Sequence, residues 1–299
     1  MAADWSGLFP ALWTPVDGNG QLMGVALADQ VRFLRRAGAD GLMVLGSTGE
    51  FVHLDQRVRR DVLRRVAEAE PGWPVIANCS DVDPAKVADL GRYAREVGAS
   101  AISLLPPWYF AVAATDVVEF MVRGAEASGL PLLIYNYPER TGHRLAPETI
   151  ARICDRVQVV GLKQSGAEFG YHRELGQLAR TKGFTLITGA DTRVAEAFDL
   201  GARGAVSGLA NAVPELMVAV FRAVQAGNPS GAADQQRALV ELAGMLQGLE
   251  FAVDVAAMMK ARGRETGAFK QVLSPETLQR FDLVVGKLRR RMGELDILG

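Results

Sequence analysis

Eight short apolar runs recur along the chain, and each is followed by a stretch with helical spacing. They cover residues 8–16, 41–45, 75–78, 101–105, 132–135, 159–163, 185–188 and 205–209. Near-continuous apolar runs of this length suit parallel strands covered on both faces. Several of the intervening helices end alike, in Ala37-Gly38-Ala39-Asp40, Val97-Gly98-Ala99-Ser100 and Leu200-Gly201-Ala202-Arg203. Glycine there fits the left-handed position that stops a helix, so the repetition reads as one βα unit copied around a ring. Eight alternating units predict an α/β fold, a (β/α)8 TIM barrel. A Rossmann fold is the runner-up, but no strand is followed by G-x-G-x-x-G.

From about residue 229 the strand signal disappears, and helical stretches follow at roughly 231–247, 249–262 and 275–294. The turn cluster Gly227-Asn228-Pro229-Ser230-Gly231 marks a boundary. The sequence therefore predicts a catalytic barrel over residues 1–228 and a C-terminal three-helix region over 229–299. Leu246, Leu249, Val253, Ala256 and Met259 keep helical spacing and read as a core-facing stripe.

A net charge of -1 leaves no footprint for nucleic acid or a membrane surface, and Arg289-Arg290-Arg291 reads as a solvated helix face. Two cysteines, Cys79 and Cys154, cannot build a disulfide framework, which fits a reducing compartment. Met1-Ala2-Ala3-Asp4-Trp5 has no basic segment followed by an apolar one, and no long apolar run occurs, so a cytoplasmic protein is expected. His53, His143 and His172 do not sit at ligand spacing, and no metal is expected.

One charge breaks the strand pattern: the lysine in Val159-Val160-Gly161-Leu162-Lys163-Gln164-Ser165-Gly166. Desolvation penalises an ammonium group in a strand buried on both faces, so an amine placed there is drawn towards its neutral, nucleophilic form. Such an amine forms a Schiff base with a ketone. The bland reading is a strand-end lysine that reaches solvent or pairs with an acid. In barrels of this kind chemistry belongs at the carboxyl ends of the strands. There the chain collects Thr14, Ser47, Thr48, Asn78, Tyr109, Tyr135, Asn136, Lys163, Asp191 and Asn211.

Gly46-Ser47-Thr48-Gly49-Glu50 follows the second strand, and its backbone amides and two hydroxyls suit an anion such as a carboxylate. Without Gly-Lys-Ser/Thr it is no phosphate loop, and an ordinary βα turn would need no function. Tyr135-Asn136-Tyr137-Pro138-Glu139-Arg140-Thr141-Gly142 closes the fifth strand. Tyr135, one strand from Lys163, is placed to move protons, or else is a core aromatic with its hydroxyl satisfied. Arg140 suits a bidentate clamp on a second carboxylate, or a pair with Glu139 or another surface acid.

These motifs, with Gly161-Leu162-Lys163, Gly189-Ala190-Asp191 and Gly208-Leu209-Ala210-Asn211 in the same order, resemble the dihydrodipicolinate synthase and N-acetylneuraminate lyase superfamily of class I pyruvate-dependent aldolases. The resemblance implies that Lys163 carries a covalent pyruvate adduct and that no separate cofactor is needed. It implies Tyr135 as general acid/base, with Thr48 relaying protons to a Tyr109 that reaches in from a neighbouring subunit. Ser47, Thr48, Arg140, Gly189 and Ser207 would bind substrate. The partners implied are pyruvate, a small aldehyde or 2-oxo acid, and further copies of the chain in a homotetramer built as a dimer of dimers.

Arg140-Thr141-Gly142 and Tyr109 favour dihydrodipicolinate synthase, which condenses pyruvate with aspartate semialdehyde. Phe51, Trp108 and Asn78-Cys79-Ser80 depart from the synthase pattern and argue against feedback inhibition by lysine. Lys163-Gln164-Ser165-Gly166 is closer to 4-hydroxy-2-oxoglutarate aldolases, and Tyr135-Asn136-Tyr137-Pro138 to 2-keto-3-deoxygluconate aldolases, so an aldolase or dehydratase of that kind is the alternative. Two further readings are a metal-dependent aldolase using Glu50 or Asp191 and a non-catalytic 2-oxo-acid binding protein.

Overall fold

A computed structural model of the chain describes residues 5–298. Eight parallel strands form one sheet: β1 (Leu8–Pro10), β2 (Leu42–Val44), β3 (Val75–Asn78), β4 (Ala101–Leu104), β5 (Leu132–Asn136), β6 (Val159–Gln164), β7 (Thr185–Thr188) and β8 (Gly204–Ser207). Each strand pairs with its sequence neighbours, and β1 pairs with β8. A bridge between Ala11 and Met43 and a 2.8 Å bond from Leu12 N–H to the Met43 carbonyl bring β1 against β2. The ring is thereby closed as a TIM barrel.

Helices alternate with the strands: α1 (Gly24–Arg36), α2 (Gln56–Ala69), α3 (Pro84–Glu96), α4 (Ala114–Ser128), α5 (Pro138–Thr141) and α6 (Pro147–Cys154), α7 (Tyr171–Lys182), α8 (Val194–Asp199) and α9 (Pro214–Gln225). Two helices, not one, follow β5. Side-chain caps set the starts of several: Asp55 accepts from Val58 N–H at α2 and Asp83 from Ala85 N–H at α3, each satisfying a first-turn donor. The repeated Ala-Gly-Ala, Val-Gly-Ala and Leu-Gly-Ala endings do stop their helices at glycines of positive φ: Gly38 at 92°, Gly98 at 89° and Gly201 at 107°.

The C-terminal region forms α10 (Pro229–Gly244), α11 (Val253–Ala261) and α12 (Pro275–Glu294). α10 begins earlier than the spacing predicts because Asn228 caps it, accepting from Gly231 N–H. Residues 245–252 leave the helix, so α11 starts later. Leu246, Leu249, Val253, Ala256 and Met259 are all buried, in one core with Leu8, Ala205, Met217 and Phe221. Strand pleat explains the sharing. Leu8 and Ala205, paired across β1 and β8, face outward into this core, while Phe9 and Val206 belong to a second, larger cluster that the strands share with the helices α1 to α4 and α6 to α8.

β1 is shorter than the apolar run 8–16 suggested. Beyond Leu12 the chain leaves the ladder, and the Trp13 indole turns to the C-terminal region, donating to the Thr266 carbonyl at 2.8 Å. Cys79 and Cys154 are free thiols, and burial pushes them up to about 12 and about 11. Among the described residues no helix is long and apolar enough to cross a membrane.

Several strand-end polar residues hold the rim together. Asn211 accepts from Trp13 N–H at 2.9 Å and donates to the carbonyls of Ala11 and Gly208 at 2.7 and 2.9 Å. Asn78 donates to the Leu45 carbonyl and accepts from Ser80, which in turn accepts from Leu105 N–H. Asn136 bonds Gln164 on the next strand and accepts from Leu145 N–H. Asn211→Ala strands a buried N–H and two carbonyls, so a loss of about 2 kcal/mol is expected. Urea unfolding checks it; an unchanged midpoint would show that this clasp holds nothing.

Candidate active site

The registers of β5, β6 and β7 put Tyr135, Lys163 and Ile187 side by side. Two residues earlier, the same faces carry Leu133 and Gly161, and a Cβ at Gly161 would lie 3.3 Å from Leu133 and 3.4 Å from Ile187. Glycine at 161 thus lets Leu133 and Ile187 pack closely two residues before Lys163. Its residue is only 5% exposed, and Nζ sits 4.0 Å from the centroid of the Tyr135 ring and 3.9 Å from Met43 Sδ. Among the described residues no carboxylate lies within ion-pairing distance of Nζ. The strand-end lysine that escapes to solvent is not what forms here.

Tyr135 is buried, and its hydroxyl shares a 3.3 Å hydrogen bond with Ser47 Oγ. Ser47 belongs to the turn after β2, which is bracketed by two non-glycine residues in the left-handed region, Leu45 at φ 60° and Glu50 at φ 54°. Such conformations persist only where their surroundings hold them. Glu50 is held by a buried ion pair with Lys270 at 2.7 Å, and Lys270 Nζ lies 4.4 Å from the centroid of a Trp13 ring. Burial pushes the Lys270 amine down, while the Glu50 carboxylate pushes it back up. Glu50 is thus engaged by a lysine. Among the described residues no three His, Cys, Asp or Glu side chains are grouped as a metal ion would need.

A cavity of ≈ 260 Å³ opens onto Lys163, lined also by Thr48, Tyr135, Gly189, Asp191 and Asp254. Gly189 makes room for the lysine: a Cβ there would meet Lys163 Cε at 3.2 Å and Ser165 Oγ at 2.1 Å. Thr48, Asp191 and Val255 surround Gly208, whose added Cβ would lie 3.4 Å from Thr48 Oγ1 and 3.8 Å from Asp191 Oδ2. A neighbouring cavity of ≈ 260 Å³ is lined by Ser47, Phe51, Trp108, Arg140 and Phe251. Phe251 lines both cavities. Arg140 lies 5.8 Å from the ring centroids of Tyr137 and of Phe251.

The fold brings together Lys163, Tyr135, Thr48, Ser47 and Gly189. Ser207 is wholly buried; its hydroxyl accepts from Ala210 N–H and bonds Asp191, so it reaches the cavity only through that acid. Tyr109 lies on the loop after β4 with φ 81°, 86% exposed, edge-on to an exposed Phe110, and does not reach Lys163 within this chain.

Two groups escaped the sequence reading. Asp254 lies in Phe251-Ala252-Val253-Asp254-Val255-Ala256-Ala257, and a lone acid in an apolar run is the same signal that singled out Lys163. Lys270 is likewise the only charge in Gly267-Ala268-Phe269-Lys270.

The chain matches the Dihydrodipicolinate synthetase family over residues 4–285. It belongs to that family. It is 30% identical over 227 residues to the 4-hydroxy-tetrahydrodipicolinate synthase of Haloarcula marismortui, covering 76% of this chain and 74% of the relative. Similarity to a putative 2-dehydro-3-deoxy-D-gluconate aldolase, YagE of Escherichia coli, is 27% over 253 residues, 83% of each chain. The crystal structure of YagE in complex with pyruvate superposes with a TM-score of 0.88 at 25% identity, covering 97% of this chain and 99% of that one. The fold of a sialic acid aldolase from Ruminococcus gnavus matches equally, with a TM-score of 0.88 at 23% identity over 98% of this chain and 99% of that one. The family places the chain among lyases whose named members act on different substrates.

Burial pushes the carboxyl groups of Asp191 and Asp254 up to about 6 each; Leu209 N–H, Ser207 and Lys163 pull Asp191 back, and the Asp191 charge adds to the rise at Asp254. A carboxyl that ionises later in the folded chain than in the unfolded one stabilises the fold fully below about pH 4. That contribution is lost as pH rises through about 6. Asp191→Asn is therefore expected to be more stable than the native chain at pH 8, by on the order of 1 to 3 kcal/mol, and to lose this advantage at pH 4. Urea unfolding at both pH values measures it, and equal stability at pH 8 would contradict the assignment.

Proposed function

We propose that the chain is a class I pyruvate lyase that works through a Schiff base on Lys163. The observation that carries this reading is the Lys163 amine buried against the Tyr135 ring, with the Ser47 hydroxyl bonded to that tyrosine. The carboxylate of pyruvate is held by the Ser47-Thr48 turn, which fixes the keto carbon over Nζ. The unprotonated amine adds to that carbon to give a carbinolamine. Tyr135 passes a proton to the departing hydroxyl, which leaves as water, and the imine loses a methyl proton to become an enamine. The enamine carbon then adds to the carbonyl carbon of an aldehyde, and hydrolysis frees Lys163. Cleavage is the same sequence reversed.

Two features bear on the aldehyde. Arg140, in the cavity beside the Ser47 turn, suits an aldehyde that carries a carboxylate, as aspartate semialdehyde does. Asp191 and Asp254, in the cavity of Lys163, suit one that carries hydroxyl groups, as in the cleavage of a 2-keto-3-deoxy sugar acid. Tyr109 and Phe110 are 86% and 75% exposed on a strained backbone, which supports a second copy of the chain covering them and completing the proton relay through Thr48.

Borohydride reduction with pyruvate should add one pyruvyl unit, mapped by peptide mass to Lys163; an unchanged intact mass would rule the mechanism out. Lys163→Ala should abolish both the adduct and turnover. Tyr135→Phe should lower kcat by about 10² to 10⁴.

A further inference from the structure

Between α11 and α12, residues 262–274 lie against the chain that follows β1. Gly267 bridges Val16, Ala268 N–H donates to the Val16 carbonyl at 2.7 Å, and the Thr266 carbonyl accepts from the Trp13 indole. Glycine permits the approach: at φ 70°, a Cβ on Gly267 would lie 2.3 Å from the Val16 carbonyl oxygen. Arg264 fastens the segment to α1, donating to Gln30 at 2.9 Å and to Asp29 at 2.6 Å. These contacts hold the segment without help from its lysine.

Lys270 reaches elsewhere. Its buried ammonium donates to Glu50, 220 residues away, at 2.7 Å. An apolar side chain beside the Trp13 ring would fill that place with no charge to desolvate, so stability alone is a poor reason for the pair. Its partner is the better clue. Glu50, at φ 54°, ends the turn that carries Ser47 and Thr48, and its N–H donates to the Ser47 carbonyl at 3.0 Å. A movement of Glu50 therefore passes directly to Ser47. At the other end Leu45, at φ 60°, is held by Asn78, whose amide donates to the Leu45 carbonyl at 2.7 Å. The middle is pressed on backbone, since a Cβ on Gly49 would lie 3.0 Å from the Leu12 carbonyl oxygen and from Thr14 Oγ1. Each strained end of the turn thus has one buried donor, and Lys270 is the one that comes from the C-terminal region.

We infer that Lys270 is a positioning residue for the pyruvate half of the reaction: through Glu50 it fixes Ser47 and Thr48 where the carboxylate of pyruvate is held. The inference rests on the Schiff-base reading and adds to it a residue that acts through another rather than by touching substrate.

The test follows borohydride trapping against pyruvate concentration in the native chain and in the double variant Glu50→Gln, Lys270→Met, with urea unfolding of each. Removing both charges leaves no buried ion without its partner, so the double variant should unfold near the native midpoint. It should need at least about tenfold more pyruvate for half-saturation and still reach one adduct per chain at saturation. An unchanged half-saturation would overturn the inference, including where less is trapped at every concentration. A double variant that fails to fold would overturn it too, because the pair would then serve the fold. In each of these cases a native adduct leaves the Schiff-base reading standing. Absence of an adduct in the native chain would overturn both.

Discussion

An amine enclosed by a ring of strands, with an aromatic face and a thioether beside it and no carboxylate in ion-pairing reach, is the constraint around which this molecule is built. Burying an ionisable group without a counterion costs free energy, so its position has to be enforced by everything around it. Register enforces it first, because Tyr135 and Lys163 are paired across β5 and β6 and cannot separate without a slip of the ladder. Closure enforces it next. The asparagines at the strand ends tie β1 to β8, β2 to β3 and β5 to β6, so the ring cannot open towards the side where the chemistry lies.

The C-terminal helices belong to the same argument. They share a core with β1, β8 and α9, and from that core they deliver three groups to the mouth. Lys270 steadies the strained turn that carries Ser47 and Thr48, Phe251 lines both cavities, and Asp254 shares the Lys163 cavity with Asp191. A buried ion pair such as Glu50 with Lys270 is weak evidence for stability, since desolvation offsets most of the attraction. Its value here is positional: with Glu50 and Leu45 both in the left-handed region, the turn has one conformation that the pair can satisfy.

The repeating βα pattern and the lone lysine were legible in the sequence because both are violations or repetitions of a local rule. A charge in a buried strand is improbable without a reason, and three helices ending in an apolar residue followed by Gly-Ala imply a repeated unit. The rim was harder. Asn78, Asn136 and Asn211 read as polar residues at strand ends, and sequence does not distinguish an amide that faces a ligand from one that faces a backbone carbonyl. Asp254 was hidden by the regular stripe around it. Helical spacing from Leu246 to Met259 spoke for a core-facing stripe with a break only at residue 248, whereas the chain leaves the helix over residues 245–252 and brings an acid to the cavity that Lys163 lines. Helix starts moved for a simpler reason, since one capping side chain such as Asn228 shifts a boundary without altering periodicity.

Selectivity in such a site comes from how charge is distributed around a fixed nucleophile. On the mechanism proposed above, Lys163, Tyr135 and Ser47 would serve any partner aldehyde, which fits a family fold whose relatives are named for different substrates. What differs is the far wall. Here one cavity presents a guanidinium and the adjoining one two carboxyl groups, both raised by burial and that of Asp254 further by the Asp191 charge. A hydrophobic pocket discriminates weakly between similar ligands, but a buried polar group left unpaired by the wrong ligand discriminates strongly. Two acids that weaken the fold above pH 6 are therefore best understood through what they do when the cavity is filled.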